Sequence, residues 1–72
     1  MNKEVFNKKV SLAIRHFRNE KGVNQDKAYI QTGTHFARLE QGKVDPRIST
    51  IYKICDYFEI TISEFFEKVE SL

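Results

Sequence analysis

The sequence predicts an all-α fold of five helices joined by short connections. Apolar residues recur at spacings of three and four along most of the chain, and no segment alternates with period two for long enough to form a strand. Glycine, asparagine and the single proline stand between the apolar segments, where helices begin and end. With 72 residues the chain forms one domain, residues 1–72. A domain of this size buries only about 60% of its unfolded surface, so we expect a partner to stabilise it.

The first two helices are delimited by residues that favour helix ends. The first is predicted from about residue 3 to Lys21, where Gly22 ends it because glycine readily takes the left-handed conformation of a helix terminus. Asn24 is the predicted N-cap of a second, short helix that begins at Gln25 and ends near Gly33. The apolar positions that define these helices are Phe6, Val10, Ala13, Ile14 and Phe17 in the first, and Ala28 and Tyr29 in the second.

A third and a fourth helix follow, separated by a short loop. The third is predicted from Thr34, as its N-cap, to Gln41, and Gly42 ends it. Pro46 suits the first position of the fourth helix, because its fixed φ angle is already helical. Phe36 and Leu39 are the inward residues of the third helix. The fourth helix has an inward apolar stripe that consists of Ile48, Ile51, Ile54, Cys55 and Phe58. Within this stripe, Cys55 is expected to be a packed thiol.

A fifth helix is predicted at about residues 62–70. Thr61 and Glu64 form a capping box, in which each side chain can bond to the backbone of the other. The aromatic residues near the fifth helix belong either to the core or to the surface of a dimer. Because nine aromatic residues exceed what a core this small is expected to hide, we expect a partner to bury some of them. We therefore expect a homodimer through the apolar residues of this helix, which are Ile62, Phe65, Phe66 and Val69.

Charge is distributed unevenly along the chain. Residues 1–53 hold eleven of the twelve basic residues against five acids, a balance of +6, and residues 54–72 have a balance of −4. A basic body with an acidic end predicts a polyanionic partner that approaches one side of the molecule, although ordinary solvated surface would give the same totals.

Several classes of function are excluded by composition. No apolar run approaches the roughly 18 residues of a membrane span, and the charged first residues are no signal peptide, so we expect a cytoplasmic protein with no membrane partner. One cysteine and two histidines exclude a disulfide and the common zinc sites. Because neither histidine accompanies a nucleophile elbow or a glycine-rich loop, we expect no enzyme, no metal or cofactor and no small-molecule ligand.

Two short helices joined by a glycine-containing turn in a basic region form the helix-turn-helix pattern, here at about residues 24–42. The run Phe-Ala-Arg-Leu-Glu-Gln-Gly that ends at Gly42 resembles the helix-turn-helix family of phage repressor and Cro proteins and their bacterial relatives. The segment from Pro46 to Cys55 is similar to the fourth helix of that family. The resemblance covers roughly residues 10–66. It implies a sequence-specific transcriptional regulator, a repressor, that binds double-stranded DNA as a homodimer.

The sequence departs from this family at one place. The glutamine that opens the second helix usually lies about eighteen residues before the glutamate that closes the third, but Gln25 and Glu40 are fifteen residues apart. If the missing residues fall after Gly33, the recognition helix is shorter by nearly one turn. If they fall before Ala28, that alanine takes the close-packed position that Tyr29 otherwise occupies. Both placements fit the sequence.

The resemblance also implies roles for individual residues. Gln25 opens the second helix where it would approach the DNA backbone, and Lys43 and Arg47 flank the loop after the third helix, where they would hold phosphates. Thr34, His35 and Arg38 are the polar residues of the recognition helix and would contact base edges or phosphates. His35 fits an ordinary surface position equally well. The expected DNA-binding residues are therefore Gln25, Thr34, His35, Arg38, Lys43 and Arg47.

One pair is expected to be structural. The resemblance implies that Arg18, late in the first helix, and Glu40, which closes the third, form a partly buried ion pair that fixes the orientation of the two helices. The alternative to a DNA-binding regulator is a protein-interaction or antitoxin-like module, in which the shortened recognition helix no longer reads bases.

Overall fold

The computed structural model describes all 72 residues and contains five α-helices and no strand, which confirms the predicted fold class. The helices are α1 (Lys3–Lys21), α2 (Gln25–Thr32), α3 (Phe36–Leu39), α4 (Ile48–Phe58) and α5 (Ile62–Ser71). Helix α1 packs against α5, α4 and α3, while α2 contacts α3 and α4. None of the helices is both long and apolar enough to cross a membrane.

The predicted ends of α1, α2 and α5 are confirmed, because each depends on a local cap. Asn24 accepts a hydrogen bond from the backbone N–H of Lys27 at 2.8 Å, which begins α2. Gly22 ends α1 with a φ of +77°, in the left-handed region. The capping box of α5 is complete: Thr61 and Glu64 each bond to the backbone of the other at 3.0 Å.

Helix α3 is shorter than predicted, and its N-cap is not Thr34. The backbone N–H of Thr34 bonds to the Thr32 hydroxyl at 3.0 Å, so this residue belongs to the turn that follows α2. His35 takes the cap position without a capping hydrogen bond from its side chain. The helix also ends at Leu39 rather than at Gln41. A single helical turn therefore remains where a recognition helix is expected.

Helix α4 begins later than predicted as well. Pro46 lies outside it, because Arg47 has extended backbone angles (φ −68°, ψ 156°) and acts as the N-cap of a helix that starts at Ile48. The prediction that Ile48 is inward is wrong, since this residue is 85% exposed. Ile48 lies on the first turn of α4, where it lines an apolar groove at the surface instead of packing into the core.

The core lies between all five helices, each of which contributes at least one buried apolar residue. Two of the four residues expected at a dimer interface, Phe65 and Val69, are fully buried within the single chain, so the expectation that they need a partner is wrong. The long α1 runs against α5 and covers them; the Phe17 ring, for example, lies 6.2 Å from that of Phe65. The buried apolar residues are Val10, Ala13, Ile14, Ala28, Phe36, Leu39, Ile51, Ile54, Cys55, Phe58, Phe65 and Val69.

Candidate nucleic-acid interface

The turn between α2 and α3 is held by one hydroxyl group. Thr32 donates to the carbonyl oxygen of Ala28 at 2.7 Å and accepts from the N–H of Thr34 at 3.0 Å. Gly33 adopts a φ of +75°, in the left-handed region, and ends α2. Thr32 was not predicted to hold this turn, although a threonine next to a helix-ending glycine is suited to such bonds.

A cleft of about 850 Å³ opens between this turn and α4. Four of the six residues expected to contact DNA line it together, although they come from three different parts of the chain. The hydroxyls of Ser49 and Thr50 and the ammonium group of Lys53 add polar groups from α4. Three cations, from Arg38, Arg47 and Lys53, line the cleft with one carboxylate, that of Asp45, so the cleft is polar and has a net positive charge, which is the chemistry that a phosphate backbone requires. The four expected residues are Thr34, His35, Arg38 and Arg47.

Lys53 belongs to the basic side of the molecule that the sequence indicates, but it is not one of the six residues expected to contact DNA. A Cβ atom built on Gly33 would lie 3.9 Å from its Nζ atom, so the ammonium group sits beside the C-terminal end of α2. A cation is favoured there by the partial negative charge of a helix C-terminus. The four-residue spacing of Ser49 and Lys53 places both on one face of α4 and is the signal that could have identified Lys53.

The other two expected contact residues lie outside the cleft. The Nε2 atom of Gln25 donates to Glu40 Oε1 at 3.0 Å, and the side chain is only partly exposed, so its amide is engaged inside the protein. Lys43 is exposed on the loop that follows α3, and it takes part in none of the ion pairs of the structure. Lys43 thus remains free to meet an external anion.

Arg18 and Glu40 form the ion pair expected between α1 and the end of α3. Arg18 donates from Nε to Oε2 at 2.7 Å and from Nη2 to Oε1 at 2.9 Å, while Nη1 bonds to the carbonyl oxygen of Val23 at 2.9 Å. Hydrogen bonding to Glu40 raises the pKa of Arg18. Because Gln25 joins the same carboxylate, the pair connects α1, α2 and the end of α3.

A second set of contacts holds the loop between α3 and α4. Asp45 accepts a hydrogen bond from Asn7 at 2.7 Å and forms an ion pair with Lys3 at 3.0 Å. The hydrogen bond from Lys3, followed by the one from Asn7, lowers the pKa of Asp45. This carboxylate therefore ties the loop that carries Lys43 and Arg47 to the first turns of α1. The sequence did not indicate it, because the residues are 38 or more positions apart.

Comparisons with known proteins agree with a helix-turn-helix formed by α2 and α3. The family model of the Cro/C1-type helix-turn-helix DNA-binding domain matches residues 14–71. The chain is 37% identical over 60 residues to the HTH-type transcriptional regulator PuuR of Escherichia coli (strain K12) and to that of Shigella flexneri. Each alignment covers 79% of this chain and 32% of the relative, so the chain spans about a third of their length. No solved structure matches. The chain thus belongs to the family of Cro/C1-type helix-turn-helix DNA-binding domains.

Proposed function

We propose that this protein is a sequence-specific transcriptional regulator that binds double-stranded DNA as a homodimer and represses by occupying an operator. The observation that carries the proposal is the cationic cleft, where Arg38, Arg47 and Lys53 converge beside the helix-turn-helix. Cations placed along one cleft can neutralise successive phosphates and release their counterions. Membership of a DNA-binding family supports duplex DNA as the polyanion, and the printed names of the relatives support a regulatory role.

Binding would follow the geometry of other helix-turn-helix domains. The N-terminal end of α3 would enter the major groove while α2 braces against the backbone. Arg47, Lys53 and Lys43 would hold phosphates, and Thr34 and Arg38 would reach base edges. Because α3 has four residues, its axis is only about 6 Å long, so it brings few side chains to the bases.

The homodimer would use a surface that shares only Phe66 with the one expected from the sequence. An apolar groove of about 320 Å³ lies between α1, α5 and the start of α4, and Ile48 projects at its edge. The rim carries the Lys3–Asp45 ion pair, which presents one charge of each sign to a second copy. The apolar side chains that line this groove are Phe6, Val10, Ile48, Ile51 and Phe66.

A titration of duplex DNA at several salt concentrations tests the proposal. Fluorescence anisotropy with a labelled random duplex is expected to show binding at low salt. The logarithm of affinity should fall with the logarithm of salt concentration by about 0.9 for each phosphate neutralised. Selection from a random duplex pool at moderate salt should then return a preferred sequence. Its symmetry would report the dimer, because two-fold related subunits select related half-sites.

The second candidate function is a protein-interaction module on the same scaffold. The single-turn α3 favours it, since a helix this short can lose base reading without loss of the fold. The same titration separates the two candidates. If no duplex binds at low salt, the regulator proposal fails and the interaction module replaces it.

A further inference from the structure

A stacked aromatic pair stands at the turn that precedes α3, and the docking described above gives it no role. The ring centroids of Tyr29 and His35 are 4.5 Å apart, with an angle of 29° between the ring planes. Tyr29 belongs to α2 and is 43% exposed, so its ring is not part of the core. The core residue of this helix is the neighbouring Ala28, which is fully buried. His35 is exposed and lines the cleft.

The position of the pair places it at the part of the domain that would approach bases. His35 immediately precedes α3, and Tyr29 reaches across from α2 to stack on it. In helix-turn-helix domains, the N-terminal residues of the recognition helix contact base edges. Arg38 lies three residues after His35, one turn further along the same face of α3, and lines the same cleft.

We infer that Tyr29 and His35 act together as a base-reading element, which replaces side chains that a longer α3 would carry into the major groove. This inference rests on the proposed binding of duplex DNA. Stacking holds each ring against the other, so little conformational freedom remains to be lost when DNA binds. The edges of both rings can contact the methyl group of thymine, and the imidazole of His35 can form a hydrogen bond with a base edge.

The test compares sequence preference with overall affinity for Tyr29→Ala and His35→Ala. Affinities are measured for the duplex selected by the wild-type protein and for a scrambled duplex of equal length and composition. Each variant is expected to reduce the ratio of these affinities by roughly 5- to 150-fold, the value of one base contact. The dependence on salt should not change, because no phosphate contact is removed. The double variant should lose less than the two single variants together, since the rings act as a unit.

Three controls keep the test decisive. Ile30→Ala alters the neighbouring side chain, which is 79% exposed and outside the stack, and should keep the wild-type preference. Tyr29→Phe retains the ring and should keep most of the preference. Circular dichroism melting curves check that each variant is folded. If Tyr29→Ala does not fold, His35→Ala alone provides the test.

Three results would overturn the inference while the proposed function stands. The first is an unchanged affinity for both duplexes in folded Tyr29→Ala and His35→Ala, and the second is an equal loss of affinity for both duplexes. A Tyr29→Phe variant as defective as Tyr29→Ala would also contradict it, because the stack is then not what matters. If the wild-type protein binds no duplex at all, the proposed function itself is wrong, and this inference is overturned with it.

Discussion

The Arg18 guanidinium and the Glu40 carboxylate form two parallel hydrogen bonds across the interior, from a side chain that is 11% exposed to one that is 4% exposed. This fork geometry joins α1 to the end of α3, while Gln25 on α2 bonds to the same carboxylate. The helix-turn-helix is therefore anchored to α1 by a charged contact as well as by apolar packing. A buried pair of this kind specifies an orientation more surely than it adds net stability.

Removal of one partner of this pair should be costly. Arg18→Met or Glu40→Gln leaves a charge or polar group buried without its partner, and should lower the free energy of unfolding by roughly 3 kcal/mol or more. Replacement of both by apolar residues should cost clearly less, because neither charge is then buried alone. Urea unfolding of the two single variants and the double variant measures the coupling. If the losses of unfolding free energy in the two single variants simply add up in the double variant, Arg18 and Glu40 do not stabilise each other.

The same pair should be insensitive to alkaline pH. Because the pKa of Arg18 is raised in the folded state, the stability gained from its charge is fully present below the ordinary pKa of an arginine and is lost only as pH rises through the raised value. This lies far above neutral. The difference in stability between wild type and Arg18→Met should consequently stay constant from pH 6 to pH 9, as thermal melting curves would show.

Acid should release the loop that Asp45 holds. Because its pKa is lowered in the folded protein, the stability that Asp45 contributes is present above the ordinary pKa of an aspartate, about 4, and is lost as pH falls through the lowered value. Asp45→Asn should remove this part of the acid dependence. Melting temperatures of the two proteins should converge below about pH 4; a constant difference down to pH 2 would contradict the role of Asp45.

Gly42 should tolerate a side chain less well than Gly22. Both have positive φ angles, +73° and +77°, so alanine at either position costs about 1 kcal/mol of backbone strain. A Cβ atom at Gly42 would also lie 3.2 Å from the Ser11 hydroxyl oxygen, whereas Gly22 has nothing within 4 Å. Gly42→Ala should therefore be the more destabilising in chemical unfolding. Equal losses would show that Ser11 moves aside without cost.

The cationic side chains near the cleft should act through phosphates. Lys43→Ala, Arg47→Ala and Lys53→Ala are each expected to weaken all duplexes about equally, and to reduce the slope of log affinity against log salt by roughly one unit. Lys68→Ala, on the acidic α5, is the matched control and should leave the slope unchanged. A variant that alters sequence preference without altering the slope would instead place its side chain at a base.

The apolar groove should determine the oligomeric state. Ile48→Glu and Phe66→Glu place a charge in the surface proposed for a second copy and should give monomers in analytical ultracentrifugation, with helical content retained. Ile30→Glu is the control, because Ile30 is 79% exposed on α2 and does not line the groove. A wild-type protein that is monomeric at high concentration would rule out this dimer.

Features that depend on neighbouring residues could be predicted before the structure was known. The capping asparagine at Asn24, the glycine end at Gly22 and the capping box at Thr61 all lie where the sequence places them. Each works through hydrogen bonds or backbone angles within a few residues, so short-range pattern is sufficient. The same local logic did not extend to α3, because the Thr32 hydroxyl competes for the N–H of Thr34 and draws that residue into the turn.

By itself, the sequence determined the five helices and most of their ends, while the partners of the central ion pair were expected from the resemblance to helix-turn-helix proteins. The tertiary structure decided which apolar residues are covered, since α1 buries Phe65 and leaves Ile48 exposed. It also brought Lys53 to the cleft, Asp45 to α1 and Tyr29 onto His35. The physical reason is distance along the chain: periodicity and capping act over one or two turns, whereas exposure and cross-helix contacts depend on how whole helices pack.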